Sequence, residues 1–448
     1  MAHSRFRFGA SEQLLDEAAR LGLELPYSDS LARLAQPVAI GAAVAPNALG
    51  IHPMEGCDGT PDGGPDALTR RRYLRFARGG AGLLWFEATA ITPEARANPR
   101  QLCLTAQTAP AIARLREETV AAAADAFGSN HRPFTVIQLT HSGRYSRPVD
   151  RHAPILAHHD GVLDRAMGIA ADHPVISDGE LDRLQDTYVA AARLAAECGF
   201  DGVDIKSCHR YLLSELLAAH TRPGSYGGPF ANRTRFLLQT VRRIRERVPE
   251  IQITLRLNIY DAHPFPWGWG VDQHDAALPD LAEPLRLVHL LHQAGVTLVN
   301  VTAGNPYFSP HVNRPFDANV VGGALPDEHP LIGVMRLLDL AAAVKRAEPE
   351  LVIMGTGYSW LRHHLGHVGA AVLEQGGADI IGVGREALAY PDFARDLIER
   401  GTLDRRRACI TCSHCTQIMR DHGEAGCVPF DREVYGPIYD RGRQAHTT

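Results

Sequence analysis

Short apolar runs alternate with longer amphipathic stretches along most of this chain. The runs, such as GLLWFEA, FTVIQL and TLVNVT, are rich in β-branched and aromatic residues. Between them apolar positions recur at helical spacing, as in 181–195, where one face carries only leucine, tyrosine and alanine. The pattern predicts eight strands, each followed by a helix. The predicted strands are 47–53, 82–88, 134–139, 201–206, 253–257, 297–302, 351–355 and 379–384.

Strands of this kind favour a parallel sheet, because near-continuous apolar runs must be buried on both faces by helices. Eight strand–helix units that close on themselves form the (β/α)8 TIM barrel. The alternative is an open, doubly wound sheet. It is disfavoured because no glycine-rich dinucleotide fingerprint opens the first unit. We therefore predict an α/β fold of the (β/α)8 TIM barrel type.

The two ends of the chain lie outside this repeating pattern. Residues 1–35 contain one short amphipathic stretch and are predicted to form an N-terminal helical extension. Residues 36–402 form the predicted barrel, and residues 403–448 form a C-terminal segment rich in cysteine. The sequence thus predicts one large domain with an addition at each end.

Composition and charge narrow the classes of function. Of 448 residues, 45% are hydrophobic and 22% are charged, with a net charge of −5, which is the balance of an ordinary globular protein. The chain has no long basic run, so we expect neither nucleic acid nor an anionic membrane as a partner. No apolar run approaches the roughly 20 residues that span a bilayer, and the N-terminus lacks the apolar core of a secretory signal. We expect a cytoplasmic protein and a homo-oligomer.

Four of the eight cysteines fall together near the C-terminus, in the segment CITCSHCTQIMRDHGEAGC. They are Cys409, Cys412, Cys415 and Cys427, with the spacing C-x2-C-x2-C-x11-C. In a reducing compartment such a group indicates metal more often than disulfide. Thiolates so spaced can hold one [4Fe–4S] cluster; zinc held by all four, or cysteines without metal, are the alternatives. The pairs His158-His159 and His363-His364 lack spaced partners and are predicted to lie at the surface.

The stretch DGVDIKSCHRYLL, residues 201–213, ends a predicted buried strand in a cluster of polar side chains. Lys206, His209 and Tyr211 can each hold or give a proton. In a parallel barrel the carboxyl ends of the strands carry the active site. These three residues are therefore predicted to be catalytic.

Two other strand ends carry glycine-rich turns. The seventh predicted strand ends in 355–357 (GTG) and the eighth in 382–385 (GVGR). Loops at these positions of a barrel often bind phosphate through backbone N–H groups, and Arg385 adds a bidentate donor. Tight turns with a surface arginine are the alternative.

Two polar side chains lie inside apolar strands. Arg256 sits in ITLRL, where a charge must be paired or functional. Gln138 sits in VIQLTH, and its amide can both donate and accept, which suits the edge of a ring. The alternative for Gln138 is a buried structural polar group.

In their order along the chain, these motifs resemble those of the Old Yellow Enzyme family of FMN-dependent oxidoreductases. The resemblance extends from the first strand to the last cysteine. It is carried by Pro53-Met54, 79–96 (GGAGLLWFEATAITPEAR), 138–144 (QLTHSGR), 199–213 (GFDGVDIKSCHRYLL), Arg222 with 226–228 (YGG), 232–236 (NRTRF), Arg256, and Gly384-Arg385 before Pro391-Asp392. Each motif alone is weak evidence, whereas the ordered set is specific.

The resemblance implies a bound FMN and the residues that surround it. It implies that Pro53, Met54, Glu55 and Ala88 line the flavin, that Gln138 and Arg256 lie at its pyrimidine edge, and that Thr356, Gly357, Gly384 and Arg385 hold its phosphate. An arginine at the pyrimidine edge would stabilise the negative charge of the reduced flavin.

The chain departs from the family at two positions. The family motif is His-x-x-His/Asn-x-Tyr, in which the first two residues anchor the substrate and the tyrosine protonates carbon; this chain has Lys206, His209 and Tyr211. A lysine is a point charge that would favour an anionic group. Glu55 stands where relatives often carry threonine, cysteine or histidine, and a carboxylate there would oppose flavin reduction unless it were protonated or paired. We hypothesise an ion pair between Lys206 and Glu55.

The cysteine segment resembles the cluster segment of the trimethylamine dehydrogenase and 2,4-dienoyl-CoA reductase branch, at the same place just after the barrel. Those relatives continue into two further nucleotide-binding domains, whereas this sequence ends at residue 448, soon after Cys427. Electrons that pass through a cluster would then need a separate electron-transfer partner protein, or the cluster would be structural.

We expect hydride transfer between flavin N5 and an activated C=C bond of a small molecule, in either direction, with NADH or NADPH as reductant. The second hypothesis is an amine dehydrogenase or oxidative N-demethylase that passes electrons to an iron–sulfur cluster. Trp267, Trp269, Tyr307 and Phe308 would then form an aromatic wall around a substituted amine. The third hypothesis is a catalytically silent barrel that binds a ligand or partner.

Overall fold

The structure, a computed structural model, describes residues 2–445. Among these residues, ten strands form a two-stranded antiparallel hairpin and a closed barrel of eight parallel strands. The hairpin strands are β1 (Val38–Ile40) and β2 (Ala43–Ala45), and the barrel strands are β3 (Leu49–Ile51), β4 (Leu83–Ala90), β5 (Phe134–Thr140), β6 (Gly202–Ile205), β7 (Gln252–Tyr260), β8 (Val296–Ala303), β9 (Val352–Gly355) and β10 (Ile380–Val383). Each barrel strand pairs with the next, and β10 pairs with β3 to close the ring. The predicted (β/α)8 barrel is confirmed.

Helices follow the barrel strands and cover the outside of the barrel. They are α1 (Ser11–Arg20), α2 (Ala67–Ala77), α3 (Ala109–Phe127), α4 (Leu163–Met167), α5 (Asp178–Glu197), α6 (Leu212–Leu217), α7 (Phe230–Arg233), α8 (Arg235–Arg247), α9 (Ala282–Gln293), α10 (Pro310–Asn313), α11 (Pro330–Ala347), α12 (Leu365–Glu374), α13 (Arg385–Ala389), α14 (Phe393–Arg400), α15 (His414–Arg420) and α16 (Arg432–Ala445). Short 3₁₀ segments occupy Ala32–Ala35, Pro93–Ala95, Gly143–Tyr145 and Tyr358–His364. Within residues 2–445, none of these helices combines the length and the apolar character that crossing a bilayer requires.

The hairpin closes the amino-terminal end of the barrel. Ile40 and Ala45 pack with residues at the beginnings of barrel strands, among them Leu83, Phe134 and Leu298, and all of these are buried. The sequence pattern did not predict this hairpin, because three-residue strands are too short to show a period. With one end sealed, the carboxyl-terminal end is the open face of the barrel.

The predicted N-terminal helical extension is confirmed and packs onto the barrel. Leu14 on α1 is buried, and Phe6 contacts Trp360 with ring centroids 5.3 Å apart. The same segment covers His364, whose Nε2 lies 3.2 Å from a backbone oxygen of the segment. His364 and His158 are both buried, so their predicted surface location is wrong. Loops and terminal segments that fold back over the barrel are not visible in a local pattern.

The cysteine segment lies across loops at the open face. The Ala425 N–H donates to Gly56 O (2.7 Å), in the loop after β3. The Asp317 N–H, in the loop after β8, donates to Thr411 O (3.2 Å). The segment is therefore packed on the barrel at two of its loops, next to the strand ends.

Candidate active site

A cavity of about 400 Å³ opens at the carboxyl ends of the barrel strands. Its volume is that of a ligand-binding pocket. All thirteen residues predicted for catalysis and cofactor binding line it: Lys206, His209, Tyr211, Pro53, Met54, Glu55, Ala88, Gln138, Arg256, Thr356, Gly357, Gly384 and Arg385. The structure brings them together from seven of the eight strands, while the role of each one stays a prediction.

Asp204 on β6 holds the side chain of Gln138 and the backbone of Arg256. Its Oδ2 accepts from Gln138 Nε2 (2.5 Å) and Trp85 Nε1 (3.0 Å), and its Oδ1 accepts from the Arg256 N–H (2.7 Å). One of the two N–H donors of Gln138 is therefore used, and its second N–H and its carbonyl oxygen are left for a ligand. Burial raises the pKa of Asp204 to about 6. Asp204 is not recognisable as a site residue from the sequence, because its partners lie on other strands of the barrel.

Arg256 on β7 is a buried cation whose guanidinium is not satisfied. The residue is 8% exposed, and its Nε has no hydrogen-bond partner in the described part of the chain. Burial lowers the pKa of Arg256. A desolvated guanidinium needs an acceptor, so Arg256 fits the oxygen- and nitrogen-bearing edge of a flavin ring.

Two further arginines share the wall of the cavity. Arg385 Nη2 donates to Pro315 O (2.6 Å), but Arg385 Nη1 and Arg314 Nη2 are buried and find no partner within residues 2–445. Burial, and then the charge of Arg385, lowers the pKa of Arg314 to about 9. Two neighbouring cations in a buried wall call for an anion, so this pair fits the phosphate of FMN. Arg314 was missed, because a lone arginine in an irregular segment looks like a surface residue.

The glycine-rich turns after β9 and β10 let the backbone come close to the predicted phosphate position. Gly357 has φ +105°, a region that favours glycine. A Cβ on Gly384 would lie 3.0 Å from Met54 Sδ. A side chain at either position would therefore strain or crowd the wall in which the phosphate is predicted to lie.

The loop after β6 holds the predicted catalytic residues in a strained backbone. His209 and Arg210 have φ of +63° and +59°, which costs a residue other than glycine about 1–2 kcal/mol. Arg210 is fully buried and donates to Asp160 Oδ2 (3.0 Å) and Asp261 Oδ2 (3.3 Å). This buried ionic network offsets the strain and fixes the loop, so the neighbouring His209 and Tyr211 both line the cavity.

Asn313 fixes the position of the proton on His209. Asn313 Nδ2 donates to Ala303 O (3.1 Å), which orients the amide, and to His209 Nε2 (3.0 Å). Because Nε2 accepts, the ring proton lies on Nδ1. Burial, with the charges of Arg256 and Lys206, lowers the pKa of His209 well below its usual range. His209 is therefore a neutral imidazole with Nδ1–H as its donor.

Lys206 lies against Tyr211 rather than pairing with Glu55. Its Nζ is 3.7 Å from the centroid of the Tyr211 ring, a cation–π contact. Glu55 accepts from Asn98 Nδ2 instead, and residues 2–445 contain no ion pair between Glu55 and Lys206. The hypothesised pair is therefore wrong, because the lysine chain reaches an aromatic face. Burial raises the pKa of Glu55 to about 7, with Lys206 acting against it.

The predicted aromatic wall is wrong for three of its four residues. Tyr307 lines the cavity. Trp269 is a core residue whose Nε1 donates to Asn258 O (3.1 Å), and Trp267 and Phe308 are not among the described residues that line the cavity. Trp269 is buried in the core and Phe308 is 45% exposed, and a sequence pattern reveals neither outcome for a ring in an irregular loop.

The four C-terminal cysteines line one small cavity beside the main one. They are Cys409, Cys412, Cys415 and Cys427. Arg385, Leu388 and Cys415 belong to the walls of both cavities. The small wall holds four thiols and neither imidazole nor carboxylate among the described residues, a donor set that suits an iron–sulfur cluster or zinc. No group of three or more histidine, cysteine or acidic side chains in residues 2–445 has the geometry of a metal site, so the predicted cluster stays a prediction.

A closed parallel barrel with unsatisfied arginines around a large cavity at its open end defines a barrel enzyme that binds a sizeable anionic cofactor. The family model described as NADH:flavin oxidoreductase / NADH oxidase matches residues 33–300. The chain belongs to this family, the Old Yellow Enzyme group of FMN-dependent oxidoreductases. The family predicted from the ordered motifs is confirmed.

Two relatives show the extent of the likeness. The chain is 28% identical over 259 residues to the NADH-dependent flavin oxidoreductase iliE of Hypocrea jecorina, with 54% of this chain and 60% of that protein covered. It is 26% identical over 384 residues to the NADH:flavin oxidoreductase FG08077 of Gibberella zeae, with 80% of this chain and 83% of that protein covered. The chain thus spans less than two thirds of the first of these relatives.

Solved structures share the fold. A 2-naphthoyl-CoA reductase complex matches with a TM-score of 0.69 at 18% identity, over 92% of this chain and 58% of that chain. The Old Yellow Enzyme homologue from Zymomonas mobilis matches with a TM-score of 0.60 at 20% identity, over 83% and 94%. Histamine dehydrogenase from Rhizobium sp. 4-9 matches with a TM-score of 0.65 at 20% identity, over 89% and 52%. At these identities the likeness concerns the fold.

Proposed function

We propose that this protein reduces an activated C=C bond of a small molecule. FMN held in this cavity and reduced by NADH or NADPH would supply the hydride for the β-carbon. The observation that carries the proposal is the buried Tyr211 in one cavity with Lys206 and His209, two groups that can hold a developing oxygen anion. The reverse dehydrogenation would use the same groups.

Lys206 and His209 hold the electron-withdrawing group of the substrate. The Nδ1–H of His209 donates a hydrogen bond, and Lys206 supplies a positive charge. Both stabilise the negative charge that develops on the substrate oxygen as the β-carbon accepts hydride. Because Lys206 is 5% exposed, its charge acts with little solvent screening. An α,β-unsaturated carbonyl compound fits this pair.

Tyr211 gives the proton to the α-carbon. Its side chain is 2% exposed, and burial raises its pKa well above the usual range. The hydroxyl therefore stays protonated at neutral pH until it transfers its proton to the substrate α-carbon. Lys206 over the ring face favours the transient phenolate that remains.

Oxidation of an amine is the second candidate, and the charges of the cavity argue against it. Lys206 and Arg256 are buried cations in the wall, and an ammonium group would meet like charge. Glu55 is the acid among the lining residues, and with a pKa raised to about 7 by burial it is only partly charged at neutral pH. The cavity therefore suits an anionic or electron-rich oxygen better than a cation.

Anaerobic titration of the purified protein decides between these candidates. NADH or NADPH should bleach the flavin absorbance, and an α,β-unsaturated ketone should restore it. Bleaching by an alkylamine, with no response to either nicotinamide, would replace the proposal by the amine dehydrogenase. A colourless protein that does not take up FMN would contradict both candidates and support the third hypothesis, a catalytically silent barrel that binds a ligand or partner.

We propose further that the four C-terminal thiolates hold one [4Fe–4S] cluster. The support is the four thiols that line the small cavity and the position of Cys415 in both walls, so that a cluster held there would lie beside the main cavity. Electrons that leave through the cluster would pass to a separate partner protein.

Replacement of Cys412 by serine should remove this cluster. The intact protein is expected to contain about four iron and four sulfide ions per chain, and Cys412→Ser should lose both while keeping FMN, because Cys412 does not line the main cavity in the described structure. Iron and sulfide assays measure this. Cys198→Ser, at a buried cysteine on the C-terminal end of α5, should keep both ions. Zinc in place of iron, or no metal in protein prepared without oxygen, would contradict the cluster.

Glu55→Gln should remove a pH dependence near pH 7. Because burial raises the pKa of Glu55 to about 7, its carboxyl is neutral below that pH and charged above it. A negative charge in the flavin cavity opposes reduction, so reduction by NAD(P)H should slow about threefold to tenfold as pH rises from 6 to 8. Glutamine is neutral throughout, so the variant should show a flat profile in anaerobic stopped-flow measurements. Glu250→Gln, at an exposed acid, should keep the wild-type slope; an unchanged slope in Glu55→Gln would assign the titration to another group.

A further inference from the structure

A second phenol stands behind the proposed proton donor. The hydroxyl oxygens of Tyr211 and Tyr307 are 2.7 Å apart, which is the distance of a good O–H···O hydrogen bond. The two side chains differ in access to water, since Tyr211 is 2% exposed and Tyr307 is 46% exposed. The pair thus joins a buried hydroxyl at the cavity to a residue that reaches solvent.

Tyr307 is held in place by a small network. Asn305 Nδ2 donates to the Tyr145 hydroxyl (2.7 Å), and Asn305 Oδ1 accepts from the Tyr307 N–H (3.0 Å). The Tyr145 ring stacks on the Tyr307 ring with centroids 4.2 Å apart and an interplanar angle of 28°. Ring stacking and the fixed backbone together set the Tyr307 hydroxyl against Tyr211, so the contact is a built feature of the site.

The proposed reaction leaves Tyr211 without its proton once in every turnover. Burial opposes the phenolate, so a proton must return before the next substrate is reduced. The other titratable groups near Tyr211 are less well placed: Lys206 contacts the face of its ring, and Glu55 and Cys57 form no hydrogen bond to its hydroxyl in the described structure. The Tyr307 hydroxyl is the one hydrogen-bond partner of the Tyr211 hydroxyl in residues 2–445, and either oxygen can be the donor.

We infer that Tyr307 passes its proton to Tyr211 as Tyr211 gives its own proton to the substrate carbon. The O–H bond of Tyr307 breaks as the O–H bond of Tyr211 forms, and water in the cavity that Tyr307 lines supplies the replacement proton. No electron is transferred in this step. Tyr307 acts through Tyr211 and is a positioning and relay residue for the reaction. This inference rests on the proposed C=C reduction.

Tyr307→Phe tests the relay, because it keeps the stacking ring and removes only the hydroxyl. With 2-cyclohexenone as the oxidant of the reduced holoenzyme, flavin reoxidation should slow about tenfold or more, while reduction by NAD(P)H keeps its rate. The solvent isotope effect separates a relay from a structural role. In mixtures of H2O and D2O the wild-type rate should depend on deuterium content with curvature, as for two protons in flight, and the variant should give a straight line.

Two further variants complete the test. Phe308→Leu, at the next position of the same loop and outside the lining of the cavity, should keep the wild-type rate and the curvature. Tyr307→His, which can also pass a proton, should recover part of the lost rate. If the wild-type protein reduces the alkene and Tyr307→Phe does so with the same rate and curvature, the relay is wrong and the proposed function stands. If the wild-type holoenzyme is reduced by NAD(P)H but never reoxidised by an alkene, the proposed function itself fails.

Discussion

Replacement of Tyr211 by phenylalanine is expected to slow the reoxidation of reduced FMN by an activated alkene about 10²- to 10⁴-fold, the usual contribution of a general acid. The ring would keep its contact with Lys206, whose Nζ lies 3.7 Å from its centroid. The loss would therefore report the hydroxyl proton and not the packing. Reduction of the flavin by NAD(P)H should keep its wild-type rate, because no proton is needed from Tyr211 in that half of the cycle.

Stopped-flow measurement of the two half-reactions checks this expectation. Tyr188→Phe is the matched control, because Tyr188 is a fully buried tyrosine on α5, its hydroxyl has no hydrogen-bond partner in the described residues, and it does not line the cavity. That variant should behave as wild type in both half-reactions. Equal rates of alkene reduction in Tyr211→Phe and wild type would show that Tyr211 is not the proton donor and that another group supplies the proton.

Replacement of Arg385 by leucine is expected to weaken the binding of FMN by about 10²-fold or more, which is the usual cost of removing one partner of a buried charge pair. Arg385 Nη1 is buried without a partner in residues 2–445, and Arg314 beside it has a pKa lowered to about 9 by burial and by that neighbouring charge. A phosphate between the two cations would satisfy both. The variant would leave Arg314 alone to hold it.

Titration of the flavin-free protein, followed by quenching of flavin fluorescence, measures the change. Riboflavin is the sharpest control, because it has the same ring and no phosphate. Its affinity should be the same in wild type and Arg385→Leu, whereas the affinity for FMN should fall towards that of riboflavin. Arg406→Leu, at an arginine whose side chain is 86% exposed, should bind FMN as wild type does. A parallel loss of riboflavin affinity would show that Arg385 supports the cavity and not the phosphate.

Most of the barrel could be predicted from the chain because its signal is local. An apolar run such as FTVIQL and the helical stripe that follows it can be recognised within a few residues, and both form as predicted, as β5 and α5. The hairpin β1–β2 was missed, since three residues show no period. Packing decided its place at the amino-terminal end of the barrel.

The residues of the candidate site also fall into two groups, those that the sequence predicted and those that it did not. Lys206, Arg256 and Arg385 line one cavity as expected, because each stands at or near the carboxyl end of a strand and closure of a parallel barrel brings those ends together. Arg314 and Tyr307 also line it, but they lie in the irregular segment after β8, where position in the sequence does not determine position in space. The same limit explains the error over the aromatic wall.

By itself the sequence determined the closed barrel, the family and the set of polar residues around its open end, since periodic burial and residue type at strand ends are properties of short segments. Only the tertiary structure decided which of these groups touch. It set the Lys206 ammonium on the Tyr211 ring instead of beside Glu55, and it joined Tyr211 to Tyr307 across 96 positions of the chain. Such contacts depend on the paths of long loops and on the reach of side chains, which are settled by packing against the rest of the molecule and are not written in any local pattern.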